Sequence, residues 1–376
     1  MIIYIEKQAK NYEQTKKVLE KFSKAQILWI DNYKNIFDKK IANNTSLKPN
    51  FIIAKLNSEA ITKAPDWYGH NDKVSFFLKT SLNCIFDCSY CFLKWAFKND
   101  IPVYFVNYED IKNSIRRKVE TLKDDFNFWF SNWKLFESQS LISPIFEETN
   151  LNELKLSLQE NKNDDFELKL KQNLDYKNKI WFYSSDYSDI LGMNNISGYL
   201  EEFIPFFEEL ENTMMEVRSK SANIKPILDL WFVPKNTEFA FSLNPQELID
   251  KYEHWTSSLE DRIKSINILL EKGYKVWLRF LPLLPVKNYK VIYTEFVKEI
   301  KQKIDIKKVS STFVSGLLYT TSDYNNILKK YPKLDILYRL KQDDNLFVRE
   351  KREVRDFFYN LFSELDKECF ICLDSK

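Results

Sequence analysis

Two periods of apolar residues alternate along this chain. Short runs at 2–5, 25–30, 74–79, 102–106, 179–183, 215–217, 239–241, 275–280, 309–313 and 370–373 read as strands. Between them, stretches at 12–22, 110–122, 198–212, 259–273, 289–304, 322–331 and 351–365 carry apolar positions at helical spacing. The stretch 259–273 ends at Gly273, a helix-stop residue. Strands alternating with helices predict parallel βα units with right-handed crossovers. The expected fold class is α/β. A small α/β unit over 1–70 ends at the break Ala64-Pro65-Asp66-Trp67-Tyr68-Gly69, and an open, partial βα barrel follows over 71–376. About six such units follow the strand at 74–79, and a barrel of this kind keeps its active site at the carboxyl ends of its strands. The rhythm breaks at 124–179, where Phe126, Phe128, Trp129, Phe130, Trp133 and Phe136 precede a Lys/Glu/Leu/Asn-rich stretch. This segment is expected to be an inserted, largely helical element whose aromatics serve its own packing.

Composition narrows the functional classes. The chain has 376 residues, 44% hydrophobic and 16% aromatic, enough for a large core. A net charge of +2 excludes the simplest polybasic nucleic-acid binder and leaves a local basic groove open. Arg116-Arg117-Lys118 is expected to be a solvated helix face. No apolar run approaches the ~20 residues needed to cross a bilayer. The opening Met1-Ile2-Ile3-Tyr4-Ile5-Glu6-Lys7 reads as a strand and not as a secretory signal, so a cytoplasmic location with reduced cysteines is expected.

The candidate chemistry sits at Asn83-Cys84-Ile85-Phe86-Asp87-Cys88-Ser89-Tyr90-Cys91-Phe92-Leu93, directly after the strand at 74–79. Three of five cysteines fall here, spaced Cys-x3-Cys-x2-Cys. Three thiolates can ligate three irons of a four-iron cluster and leave the fourth iron open. Closed electron-transfer clusters use four cysteines instead. A structural zinc knuckle is the competing reading, but it needs a fourth ligand and the chain offers only His70 and His254. His254 lies in a charged turn and reads as structural. Arg279 ends a strand, where it could meet a phosphate or pair with a carboxylate. Cys369 and Cys372 form Cys-x2-Cys in a final apolar run. They fall on opposite strand faces and read as buried structural thiols rather than a redox pair.

The cysteine spacing, with an aromatic before the last cysteine, resembles the signature of radical S-adenosylmethionine enzymes. More closely, the chain resembles the spore photoproduct lyase family. The opening Ile3-Tyr4-Ile5-Glu6, the cysteine loop, Val217-Arg218-Ser219-Lys220-Ser221-Ala222-Asn223, Ser242-Leu243-Asn244-Pro245-Gln246-Glu247, Lys251-Tyr252-Glu253-His254 and the final Phe370-Ile371-Cys372-Leu373-Asp374-Ser375 carry the likeness. The segment 124–179 stands outside it. The resemblance implies that Cys84, Cys88 and Cys91 hold a [4Fe-4S] cluster and that S-adenosylmethionine chelates the open iron. One electron would then cleave S-adenosylmethionine to methionine and a 5′-deoxyadenosyl radical. It further implies that Ser185 and Asp186 contact the methionine end of the cofactor, that Lys220 pairs with its carboxylate and that Ser242 hydrogen-bonds it. Tyr90 would stand near the cluster, within reach of cofactor or substrate. A reductant such as flavodoxin or ferredoxin is the implied electron source, and DNA or another nucleic acid the implied partner.

The chain departs from the family in two places. Where the repair lyases carry a hydrogen-donating cysteine two residues before a Ser-Asp pair, this sequence places Tyr183 before Ser185-Asp186. Phe92 follows the third cysteine where a second tyrosine is expected. Three functions therefore stay open. They are a radical enzyme with an unassigned substrate, a nucleic-acid base among the candidates; an authentic DNA photoproduct lyase using Tyr183 or another donor; and a non-enzymatic cluster- or zinc-binding protein.

Overall fold

The computed structural model describes residues 1–38, 50–65, 74–137, 179–343, 346–365 and 370–371. The strands, in chain order, are β1 (Ile2–Glu6), β2 (Gln26–Ile30), β3 (Phe51–Ala54), β4 (Ile61–Lys63), β5 (Ser75–Leu78), β6 (Ser81–Leu82), β7 (Asp87–Cys88), β8 (Val103–Phe105), β9 (Ile180–Tyr183), β10 (Thr213–Ser219), β11 (Thr237–Ser242), β12 (Glu253–His254), β13 (Val276–Leu283) and β14 (Ser311–Gly316). The main sheet runs from Phe370–Ile371 through β14, β13, β11, β10, β9 and β5 to β4. All its neighbours are parallel except β4 against β5. This is the open βα half-barrel expected from the alternation.

A second sheet, in the order β2-β1-β3-β8-β6, carries the amino-terminal unit. The two sheets exchange strands. β4, which precedes residue 70, joins the half-barrel, whereas β6 and β8, which follow it, join the amino-terminal sheet. The chain stretch that carries the cysteines therefore leaves one sheet and is anchored by the other.

β9 is buried at every position, as a parallel strand covered on both faces must be. Its Phe182 belongs to the outer core with Phe203 and Phe207 of the helix Tyr199–Glu208, whose Tyr199 and Phe203 rings stack at 4.1 Å. Trp181 and Tyr183 face the other way, with Met214, Ala240 and Trp277. Period-two alternation thus separates an apolar outer core from an aromatic lining on the inner side.

Two expectations are corrected. The helix expected to end at Leu122 runs unbroken from Tyr108 to Glu137, into the stretch assigned to the insertion. No Gly or Pro falls in that span, and Asp124-Asp125 is no helix stop. The remainder, 138–178, lies outside the described residues, as do His70, Cys369 and Cys372. The strand expected at 215–217 is the seven-residue β10, because Glu216 and Arg218, which look like surface residues, are turned inward as an ion pair. Among the described residues no helix is long and apolar enough to cross a membrane.

Gly316, the last residue of β14, meets the buried Glu350 so closely that an added Cβ would overlap its carboxyl atoms. Gly316→Ala is expected to destabilise the fold by about 1–3 kcal/mol, the usual cost of overpacking a filled interior. Chemical denaturation checks this, and a stability equal to wild type would show that Glu350 moves freely.

Candidate active site

The cysteine loop begins where Asn83 turns the chain. Asn83 has a φ of 63°, in the left-handed region that Asn tolerates better than most residues. Its amide nitrogen donates to the carbonyls of Asn99 (2.9 Å) and Ile101 (3.0 Å), which fixes the turn just before Cys84. Cys88 sits in β7, paired antiparallel with Glu253 of β12. The Cys91 amide donates to the Cys88 carbonyl (3.1 Å), and the helix Leu93–Ala96 follows.

All three cysteines line one cavity of about 600 Å³ at the carboxyl ends of the parallel strands. Its remaining wall is mostly apolar, with Phe77, Trp95, Leu281, Phe313, Leu317 and Phe347 among its members. Burial pushes each thiol above its ordinary pKa, so the metal-free protein holds thiols rather than thiolates. Local donors assist the anion once a metal takes it, against the Asp189 carboxylate near Cys84 and the Glu253 carboxylate near Cys88. The Phe86 N–H points at Cys84 Sγ (3.4 Å), joined by the Asp189 N–H. The Leu93 N–H serves Cys91, and the Lys220 ammonium acts on Cys88 and Cys91. Hydrogen bonds to sulfur of this kind tune iron–sulfur clusters.

Three soft donors on one wall, with open cavity on the fourth side, fit an iron–sulfur cluster with one free iron. Among the described residues no group of three or more His, Cys, Asp or Glu converges as a single-ion site, so a zinc knuckle finds no ligand set there. His254 is exposed and has its Nε2 3.5 Å from the Ser89 hydroxyl.

The other residues singled out from sequence are placed as follows. Ser185, Asp186, Lys220 and Ser242 all line the cavity. Ser185 Oγ accepts the Arg218 N–H (3.1 Å), and Asp186 Oδ1 accepts Arg218 Nη2 (3.1 Å). Lys220 has its ammonium 5.9 Å from the centre of the Tyr90 ring. Tyr90 shows the cavity its ring, while its hydroxyl donates to buried Glu253. Burial and the Glu253 charge both raise the Tyr90 pKa well above the ordinary phenol value.

Tyr183 is fully buried, 6.4 Å from Trp181 and 6.3 Å from Phe77, and is not among the residues lining the cavity. Arg279 pairs with the Glu216 carboxylate, so of its two readings the carboxylate is the one seen. Of the expected solvated face only Arg117 is exposed, whereas Arg116 lies 4.9 Å over the Phe206 ring and Lys118 5.0 Å over the Phe76 ring, because their long stems cover apolar surface.

Sequence reasoning passed over Ser188-Asp189. Asp189 caps the helix Ile190–Ser197, accepting the Gly192 N–H (2.8 Å). It also accepts the Ser219 hydroxyl (2.7 Å) and the Lys220 N–H (2.8 Å). Burial pushes its carboxyl up, and these three donors hold it down. Asp189 thus ties the end of β10 to the helix whose first N–H groups face Cys84. The signal was present: of the three Ser-Asp pairs, Ser188-Asp189 stands before an apolar helical run with Gly192 three residues on. The Glu216–Arg218–Asp186 and Glu216–Arg279 pairs were also missed, because a single sequence does not reveal which charges are buried.

The comparisons with known proteins fall on one family. Residues 169–350 match the family model described as spore photoproduct lyase. A spore photoproduct lyase of Clostridium acetobutylicum is 31% identical over 194 residues, covering 48% of this chain and 56% of that protein. One from a Geobacillus strain is 24% identical over 149 residues, covering 39% and 43%. The chain therefore spans about half the length of the curated relatives it matches. In fold, a spore photoproduct lyase complexed with dinucleoside spore photoproduct superposes with a TM-score of 0.70 at 16% identity, over 99% of this chain and 98% of that one. A mutant with bound AdoMet and dinucleoside spore photoproduct also superposes at 0.70, with the same identity and coverage. Residues 169–350 are similar in sequence to the spore photoproduct lyase family, and nearly the whole chain shares the fold of a solved spore photoproduct lyase.

Proposed function

We propose that the chain is a radical S-adenosylmethionine enzyme, lyase-like, that acts on a nucleic-acid base. The observation that carries this is that Cys84, Cys88 and Cys91 line one cavity together with Lys220. When bound, a [4Fe-4S] cluster and S-adenosylmethionine together supply a 5′-deoxyadenosyl radical for hydrogen abstraction. The chain's own part is to place and shield. The three cysteines hold the cluster, and the amides of Phe86, Asp189 and Leu93 stabilise their thiolates. Lys220 receives the cofactor carboxylate, and Ser242 offers a hydroxyl from the end of the neighbouring strand. Asp186, already shared with Arg218, offers a carboxylate to the cofactor ammonium. The apolar wall excludes water and suits a planar ring. A small one-electron carrier such as flavodoxin or ferredoxin would supply the electron.

Lys220→Met is expected to weaken S-adenosylmethionine binding by about 10- to 100-fold, the worth of one charge-assisted hydrogen bond. Titration of the reconstituted protein checks it. Unchanged affinity would remove Lys220 from the cofactor site.

The hydrogen donor separates a base-directed radical enzyme from an authentic photoproduct lyase. Among the described residues the cavity is lined by no cysteine beyond the three of the loop, and Tyr183 is not in its lining. The direct test is anaerobic reconstitution, then dithionite and S-adenosylmethionine with and without dinucleoside spore photoproduct. Formation of 5′-deoxyadenosine is expected in both. Conversion of the photoproduct to its two thymidines would make the chain a repair lyase. A well-formed cluster that yields no 5′-deoxyadenosine in either condition would overturn the enzymatic reading and favour a structural cluster.

A further inference from the structure

One buried ion pair stands directly behind the cavity wall. The side chains of Glu253 and Arg262 are fully buried and meet at 2.8 Å. Glu253 Oε1 accepts the Tyr90 hydroxyl and the Asn244 amide (2.8 Å). Arg262 donates Nη1 to the Ser242 carbonyl (2.7 Å) and Nε to the Ser257 carbonyl (3.0 Å). The backbone completes the knot. Glu253 pairs with Cys88 across β7 and β12, the Ser89 amide donates to the Tyr252 carbonyl (2.8 Å), and the Ser257 amide donates to the Lys220 carbonyl (3.1 Å).

Three pieces of wall that are far apart in sequence meet at this pair. They are the segment from Cys88 to Tyr90, the end of β11 at Ser242, and the end of β10 at Lys220. Burying two charges seldom repays its desolvation as stability, and apolar residues of the same volume often do as well. What the pair supplies instead is direction. Its hydrogen bonds are satisfied only when all three pieces hold one relative placement.

We propose that Glu253 and Arg262 are positioning residues that set the middle cysteine against the strand ends carrying Ser242 and Lys220. Neither touches the reacting groups, and both act through the residues they hold. The consequence for cofactor chemistry rests on the function proposed above, whereas the placement of Cys88 does not.

The test uses the full chain and Glu253→Gln, with Tyr90→Phe as a milder variant that removes one hydrogen bond. Phe203→Leu, in the outer core, serves as a stability-matched control. In metal-free protein, alkylation of Cys88 by iodoacetamide, followed by mass spectrometry, is expected to be about tenfold faster in Glu253→Gln through local opening of the loop. Tyr90→Phe should fall between that and wild type, and Phe203→Leu should match wild type. After anaerobic reconstitution, Glu253→Gln should retain less than about half of the wild-type iron and sulfide, and its residual cluster should lose the change in electron paramagnetic resonance on adding S-adenosylmethionine. Wild-type alkylation rates in Tyr90→Phe and Glu253→Gln would overturn the inference. So would equal acceleration in the control, which would reduce the knot to general stability. If Glu253→Gln fails to fold, Tyr90→Phe alone decides. Accelerated alkylation in Glu253→Gln, with a wild-type protein that itself takes up no cluster, would uphold the positioning role and sink the radical-enzyme reading instead.

Discussion

Cys88→Ala is expected to abolish 5′-deoxyadenosine formation, by at least about 10³-fold, while the chain stays folded. A thousandfold loss corresponds to about 4 kcal/mol of transition-state stabilisation. The physical basis is the ligand count. Three thiols line the cavity, and with one removed a four-iron cluster keeps two protein ligands. Cys88 is buried but small, and the bridge from β7 to Glu253 is made by backbone, so deleting its sulfur should cost stability little. The measurement pairs a product assay with iron and sulfide analysis and a melting curve. Wild-type product with wild-type iron and sulfide would show that Cys88 is not a cluster ligand. A collapsed melting curve would move its role from chemistry to folding.

The second large effect is on stability. Glu216→Ala is expected to destabilise the fold by about 3–5 kcal/mol, the usual cost of breaking a buried pair. The Glu216 carboxylate is about 1% exposed and is shared by Arg279 and by Arg218, whose Nε lies 3.3 Å away. The Arg279 side chain is buried and that of Arg218 is partly so, with Asp186 as a second carboxylate, so deleting Glu216 removes compensation chiefly from Arg279. Glu216→Gln keeps the shape and part of the hydrogen bonding and should fall between. A fully exposed pair offers the contrast: Lys298–Glu295, at 2.8 Å, should contribute no more than about 0.5 kcal/mol. Equilibrium unfolding in denaturant checks all three. A Glu216→Ala stability within 1 kcal/mol of wild type would mean that water or a neighbouring group compensates the arginines.

These charges also explain where reading the chain stopped short. The expected strand 215–217 contains Glu216 and stops before Arg218, so it covers three of the seven residues of β10. Their partners lie at residues 186 and 279, and a linear pattern does not report such distances. The same holds for the Ser-Asp pairs. Ser185-Asp186 and Ser188-Asp189 are chemically alike and both line the cavity, and only packing shows that Asp186 pairs with Arg218 while Asp189 caps a helix beside Cys84. Tyr90 was expected beside the cluster, and its ring is there. That its hydroxyl turns to Glu253 follows from residues 163 positions away.

What the sequence determined by itself is whatever depends on neighbours in the chain. The alternation of period-two and helical stretches gave the parallel half-barrel, because each strand and helix carries its own apolar pattern. The Cys-x3-Cys-x2-Cys loop after a strand gave the candidate chemistry and its end of the barrel, because loop length and strand direction are local. Tertiary structure decided the rest: which strands crossed between the two sheets, which carboxylates were buried, and which of two identical dipeptides stood by the cysteines. Those outcomes depend on desolvation, and a charge is desolvated only by the groups that fold around it from elsewhere in the chain.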